Sequence, residues 1–157
     1  MIIDYDSQYD EQVKDLLVEL QQHLVEIDQE GYHTLEKEYR EKYFTKTMEE
    51  INKKQGKIFL YQDADNILGM VIGIINNEKE HSYDFNAPRR GRITELIVRR
   101  EYRGKHVGKE LLEHMKEYLK KQGCEKILIA VFGYNQEAIR FYEKNGFHTR
   151  MIDMIEN

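Results

Sequence analysis

An α/β (α+β) fold is predicted for this 157-residue chain by three observations. Short apolar runs alternate with helix-spaced apolar stripes, giving the order β α α β β β α β α β. Two of the runs, Lys57–Tyr61 and Ile67–Ile75, flank the turn-rich Asp63-Ala64-Asp65-Asn66, which is a hairpin signal. Residues 92–132 read as strand, turn, helix, strand, a unit that normally joins parallel strands by a right-handed crossover. The length is that of one domain, 1–157. The chain has no internal repeat or linker, and Pro88 is its only proline.

The elements follow in order. Met1–Tyr5 reads as a short strand. Ser7-x-x-Asp10 starts a helix whose stripe is Val13, Leu16, Leu17, Leu20, Leu24 and Ile27, and Gly31 breaks it. Thr34 is the expected cap of a second helix with Leu35, Tyr39, Tyr43, Met48 and Ile51 inward, ended by Gly56. After the hairpin, residues 76–90 are polar and read as a loop, and Arg92–Arg99 as a strand. A helix follows with Val107, Leu111, Met115 and Leu119 at four-residue steps, closed by Gly123. The continuous apolar run "KILIAVF" (126–132) is expected to be a central parallel strand. Asn135–Asn145 reads as a last helix, stopped by Gly146, and a final strand is expected within Phe147–Met154.

Composition excludes several functions. No apolar run approaches the roughly 20 residues of a membrane span. The acidic N-terminus has no signal-peptide pattern, and the single Cys124 has no internal disulfide partner. The expected setting is soluble, reducing and cytoplasmic. A net charge of −5 argues against general nucleic-acid binding. That charge is uneven. Residues 89–109 carry eight Lys or Arg and two acids, a window of +6 that leaves −11 for the rest. A basic island in an acidic protein points to a small polyanionic ligand. The six histidines show no i, i+4 pair and no H-E-x-x-H, so no metal site is expected.

The island ends in "RREYRGKHVGKELL" (99–112), at a helix start. Helix N-termini offer unpaired amides and partial positive charge, and phosphates bind there. Glycine lets backbone approach a ligand closely. A P-loop is excluded, because three residues separate Gly104 from Gly108 and Lys109 is followed by Glu110. The dinucleotide fingerprint G-x-G-x-x-G is also missing.

The segment "RGKHVGKELL" resembles motif A of the GNAT superfamily of N-acetyltransferases, Q/R-x-x-G-x-G/A at a helix start. Arg103, Gly104, Lys105, His106, Val107 and Gly108 occupy its six positions. "TELIVRREYRG" resembles the strand that leads into that motif. "NQEAIRFYEKNGF" (135–147) resembles motif B. The element order over 1–157 is similar to the GNAT fold. That fold implies a mixed, mostly antiparallel sheet with helices on both faces, whose fourth and fifth strands splay around acetyl-CoA. One position departs: His106 stands where the family usually has Gly. Its amide remains able to donate if φ stays negative.

The resemblance implies acetyl transfer from acetyl-CoA to a primary amine in a ternary complex. The backbone of Ile97 and Val98 would pair with pantetheine, and the Val98 N–H would polarise the thioester carbonyl. Residues 103–109, Lys109 included, would hold the pyrophosphate, and Asn135 would contact CoA or simply cap its helix. Tyr142 would protonate the departing thiolate. At reference pKa values that step is uphill by about 2 kcal/mol. Arg99 and Arg100 would answer Glu95, Glu101 or the CoA 3′-phosphate. Glu95 is the candidate base for the ammonium. Strand alternation sets it on one face with Ile93 and Ile97, with Thr94, Leu96 and Val98 on the other. The plainer reading of Glu95 is an ion pair to a nearby arginine. Glu26, Asp28, Glu30, Tyr32 and His33 would favour a cationic acceptor, or form only an exposed turn. No nucleic acid or membrane partner is expected, and a homodimer is compatible. The competing classes are a non-catalytic CoA-binding or sensing module on the same fold and a plain anion-binding domain.

Overall fold

The structure is a computed structural model that describes residues 1–76 and 82–157. The chain runs β1 (Ile2–Asp4), α1 (Asp10–Ile27), α2 (Tyr39–Lys53), β2 (Lys57–Asp63), β3 (Asn66–Asn76), β4 (Arg90–Val98), α3 (Val107–Lys121), β5 (Lys126–Ile129) and α4 (Gln136–Lys144). Short 3-10 turns at 7–9 and 100–102 lead towards α1 and α3. The predicted loop, 76–90, is one residue too long at each end, since Asn76 belongs to β3 and Arg90 to β4, and its residues 77–81 lie outside the described residues.

The sheet order is β1-β2-β3-β4-β5. The first three pairings are antiparallel and β4–β5 is parallel. The mixed sheet and its parallel pair are as predicted. One face packs on α1 and α2 through Val13, Leu16, Leu17, Ile51, Leu60, Met70, Ile72 and Ile97. The other face packs on α3 through Val71, Ile75, Ile93, Leu111, Leu112, Met115 and Leu119. The four α3 side chains are fully buried, so truncating any one to alanine costs roughly 2–5 kcal/mol. Glycines let α3 lie close to the sheet. A Cβ on Gly73 would come within 2.4 Å of the Met115 sulfur, and one on Gly91 within 2.8 Å of Leu119.

A β-bulge in β4 corrects the predicted faces. Ile72 pairs with Glu95 but the next residue, Gly73, pairs with Ile93, so Thr94 is the extra residue. Period-two alternation breaks there. Ile93 points to α3, whereas Ile97 joins the α1–α2 core. Glu95 thus shares a face with Ile97 and not with Ile93.

Four further expectations change. The second helix begins at Tyr39, with Glu38 as an N-cap that makes no side-chain bond. Thr34 instead gives its carbonyl to Gln21 Nε2 at 2.7 Å. The apolar run 126–132 supplies only four strand residues, and these form the sheet edge, not its centre. Residues 130–132 leave the sheet because β4 and β5 stop pairing after Ile93 and Ile129. Finally, Phe147–Met154 forms no strand. Apolar pattern alone makes no strand unless the backbone bonds to a neighbouring edge, and residues 148–154 stand exposed.

Candidate active site

The basic turn sits at the start of α3, beside the open end of the β4–β5 pair. The amide of Glu110 is the first to bond within the helix, to the His106 carbonyl at 3.0 Å. The amides of Val107, Gly108 and Lys109 precede it and have no intrahelical acceptor. His106 is the N-cap and its side chain caps nothing. Its φ is +66°, so the condition of a negative value is not met. The turn demands the left-handed conformation, and here an imidazole-bearing residue adopts it at a cost of about 1–2 kcal/mol. Gly104 is also left-handed, with φ +77°. A Cβ on Gly108 would meet Val98 at 3.5 Å and Phe141 at 3.6 Å, ordinary contacts. Packing within the protein therefore does not require glycine there.

The basic side chains divide by partner. Arg103 Nε donates to the Val98 carbonyl at 3.0 Å. Arg99 Nε donates to the Ile67 carbonyl at 2.8 Å, and its Nη1 lies 3.5 Å from Glu19. Arg100 lies 3.6 Å from Glu26, and its amide donates to Glu19 at 3.2 Å. Arg99 and Arg100 thus tie the turn to α1 and do not answer Glu95. Lys105 folds over the Tyr102 ring at 5.3 Å.

Beyond Ile93 the β5 side of β4 is open. The Arg99 amide donates to Leu68 of β3 at 2.8 Å. Backbone groups alternate sides along a strand, so the Val98 amide and carbonyl face the gap. Leu96 falls in with Val98. The Ile97 backbone turns to β3 instead, where its carbonyl lies 2.7 Å from the place of a Gly69 Cβ. Pairing across the gap therefore belongs to alternate residues, and Ile97 is not one of them.

Glu95 lies under this gap on the α1–α2 face. It is half-buried, and Tyr43 Oη donates to its Oε1 at 2.5 Å. Desolvation pushes the carboxyl up to about 7; the Tyr43 hydrogen bond pulls it down and the charge of Glu50 pushes it further up. No arginine pairs with it among the described residues, so the ion-pair reading fails. Tyr39 and Tyr43, four apart on α2, stack at 4.8 Å. Burial raises the pKa of both phenols, and the Glu95 charge adds to it.

Tyr142 of α4 packs in the cluster that holds Leu96 and Val98 of β4. Its ring packs edge-on against Phe141 at 5.2 Å and Phe147 at 5.6 Å. Burial raises its pKa first, and the Glu95 charge second. Three tyrosines and one carboxyl thus feel one another. The role of Tyr43 was missed from sequence, where it reads only as an inward apolar position. The i, i+4 pair Tyr39/Tyr43 was the available signal. Asn135 N-caps α4, accepting from the Ala138 amide at 3.3 Å.

Asp28 organises the rim. Its side chain is 1% exposed, so it is no surface turn residue. It accepts from the amides of Glu30 at 2.9 Å and of Tyr32 and His33 at 2.7 Å. His33 Nδ1 lies 2.8 Å away, and Tyr134 Oη donates to it at 3.1 Å. These bonds, the backbone ones from His33 foremost, hold its carboxyl well below the usual range. His33 also packs edge-on against Phe132 at 4.9 Å. The α1–α2 loop is thereby joined to the β5–α4 loop beyond the splay. Tyr32 is 70% exposed and free to meet solvent. Cys124 is buried in the α3 core at the end away from the cradle. No group of three metal-ligating side chains occurs among the described residues.

Comparison with known proteins agrees with this geometry. The chain is 27% identical over 119 residues to glucosamine 6-phosphate N-acetyltransferase 1 of Dictyostelium discoideum, covering 76% of this chain and 74% of that one. The fold matches the crystal structure of glucosamine-6-phosphate N-acetyltransferase from Arabidopsis thaliana with a TM-score of 0.66 at 21% identity, over 100% of this chain and 97% of that one. It matches AAC(6')-Iy in complex with a bisubstrate CoA analogue with a TM-score of 0.71 at 14% identity, over 100% and 97%. The model of the Acetyltransferase (GNAT) family matches residues 17–147. With the splayed parallel pair and the glycine-basic turn in place, this match establishes that the chain belongs to the GNAT acetyltransferase family.

Proposed function

We propose that the protein transfers the acetyl group of acetyl-CoA directly to a primary amine, with Glu95 as base and Tyr142 as acid. The observation that carries this reading is that β4 and β5 stop pairing after Ile93 and Ile129, with Glu95 on β4 just beyond that point and Tyr142 of α4 packed in the same cluster as Leu96 and Val98. The unpaired amides of residues 107–109 suit a pyrophosphate, with Arg103, Lys105 and Lys109 as supporting charge. The Val98 amide faces the gap where the thioester carbonyl would gain charge.

The proton steps balance. An ammonium has no lone pair, so it first gives a proton to Glu95. An ordinary amine sits near 10.4. Transfer to a carboxyl at about 7 is uphill by about 5 kcal/mol, against about 8 for an unperturbed carboxyl. The amine then attacks the thioester carbon, and the C–S bond breaks as the tetrahedral intermediate collapses. Tyr142 donates to the leaving thiolate, and the second proton shed by the nitrogen as the amide forms restores the Tyr142 phenol, leaving the proton on Glu95 to pass to solvent. Once Glu95 is protonated its charge no longer raises the Tyr142 pKa, so the base step makes the acid stronger.

Among the described residues, the charged side chain that acts on the Glu95 carboxyl is another carboxylate, Glu50. That supports a cationic acceptor whose ammonium supplies the missing positive charge. Two relatives act, by name, on glucosamine 6-phosphate. That amine and a polyamine form the informative pair of substrates. The experiment is release of free CoA thiol with each. Faster turnover of the polyamine is expected, together with a loss of roughly 10²–10⁴ in kcat for Glu95→Gln and for Tyr142→Phe. Tight acetyl-CoA binding with no thiol release for any amine would replace this reading with a non-catalytic CoA-binding module.

A further inference from the structure

The gap beyond the β4–β5 pair has two banks. On one, Tyr43 of α2 reaches the Glu95 carboxyl of β4. On the other, the chain leaves β5 after Ile129, whose partner Ile93 stands two residues before Glu95. Phe132 and Tyr134 follow there and stack at 5.2 Å with their planes 6° apart. His33, from the α1–α2 loop, meets the Phe132 ring edge-on. The loop that carries His33 thus touches the far bank, and the helix it enters touches the near one. Phe132 makes both ring contacts and is still 42% exposed, so part of this wall is open.

His33 is fixed in one tautomer. Five donors face the Asp28 carboxylate: the amides of Glu30, Tyr32 and His33, the Tyr134 hydroxyl and His33 Nδ1. A carboxylate only accepts, so Nδ1 carries a hydrogen, and the neutral ring keeps its lone pair on Nε2. Among the described residues nothing donates to Nε2, and with the side chain 22% exposed the atom is reachable from outside. The charges of the two banks are equally unfinished. No Lys or Arg among the described residues acts on Asp28 or on Glu95. A carboxylate removed from water ordinarily has such a partner.

We propose that His33 is a second anchor for the acceptor and that the acceptor is a linear diamine. One ammonium reaches Glu95, and the second donates to His33 Nε2. Asp28, behind the imidazole, supplies the negative charge that favours a cation there. The methylene chain between the two ammonium groups lies along the aromatic walls, Tyr39 with Tyr43 on one bank and Phe132 with Tyr134 on the other. The proposal rests on the reading of Glu95 as the base and adds the pole which that reading leaves without a ligand. A monoamine fills one pole only.

The test compares diaminobutane with butylamine and diaminohexane with hexylamine on the full chain. Two readouts are taken: thiol release with acetyl-CoA, and calorimetric binding of each amine to the chain saturated with CoA, where no acetyl group can move. The diamine that spans both poles is expected to exceed its monoamine by roughly tenfold or more in kcat/KM and in affinity, the worth of one charge-assisted hydrogen bond. His33→Asn keeps a donor for Asp28 but places nothing where Nε2 stands, so this ratio should fall towards one. His33→Gln brings an amide oxygen near that place and should restore part of the ratio. Equal values for diamine and monoamine at both lengths overturn the proposal, and so does a preference that survives in His33→Asn. The two readings fail separately. Tighter binding of a diamine without thiol release upholds the anchor and refutes acetyl transfer, whereas equal turnover of diamines and monoamines refutes the anchor and leaves the transfer standing.

Discussion

Replacing Glu95 by Gln gives the sharpest test of the site, because one group predicts both a stability and a rate. The folded carboxyl titrates at about 7 and the ordinary one at 4.5. The folded state therefore binds more protons than the unfolded chain between these values. For an acid with a raised pKa, stability falls as pH rises through that window. Each pH unit costs about 1.4 kcal/mol, so the window is worth about 3.5 kcal/mol at most. For a chain of this size that is roughly 7–14 °C in Tm. Glutamine is neutral at every pH and still accepts from Tyr43. Melting curves of both proteins from pH 4 to 8 should nearly coincide at the acid end. The variant should become the more stable protein as pH approaches 8. Histidines and other common groups cancel in the difference. In the same range kcat/KM of the original chain should rise with pH and level off above about 7, while Glu95→Gln stays low and loses that limb. Parallel melting curves, or an acid limb that survives in the variant, would refute a desolvated carboxyl as the base.

Further outcomes follow from single contacts. Tyr43→Phe removes the hydrogen bond that lowers the Glu95 pKa, so the acid limb of kcat/KM should move to higher pH; an unmoved limb would deny Tyr43 its positioning role. His106→Gly should raise stability by up to about 1 kcal/mol, the left-handed strain relieved less the unfolded-chain entropy, with acetyl-CoA affinity equal or better. A large loss of affinity in calorimetry would show that the imidazole side chain of His106 itself takes part. Gly108→Ala meets only ordinary contacts in the protein, so Tm should hold while acetyl-CoA binding weakens; unchanged binding would remove Gly108 from the cradle. Asp28→Asn should loosen the rim and raise KM for the amine with acetyl-CoA affinity kept. Because the Asp28 pKa is depressed from 3.8, its stabilisation is present above that value and fades as pH falls below it. The Tm gap to the variant should shrink in acid, and a constant gap would be the contrary result.

The sequence alone determined what local chemistry can specify. Helix stripes such as Val107–Leu119, the hairpin at 63–66 and the basic glycine turn all depend on neighbours within a few residues. Each formed close to its predicted place. So did the parallel pair, because a strand-helix-strand crossover leaves few alternatives. The candidates Glu95, Tyr142 and residues 103–109 were legible because motif spacing is local too. What needed the tertiary structure was everything set by partners distant in sequence. The bulge at Thr94 depends on the register with β3, and it decides which face Glu95 shares. The Glu95 pKa depends on Tyr43, 52 residues away along the chain. Asp28 became a hub only when Tyr134, 106 residues away, came within hydrogen-bonding distance. The left-handed φ of His106 belongs to the turn into α3, and the residue type alone does not announce it. Residues 148–154 have a strand's apolar pattern and form no strand, because a strand is a property of two segments and these residues make no described backbone bond to a second one.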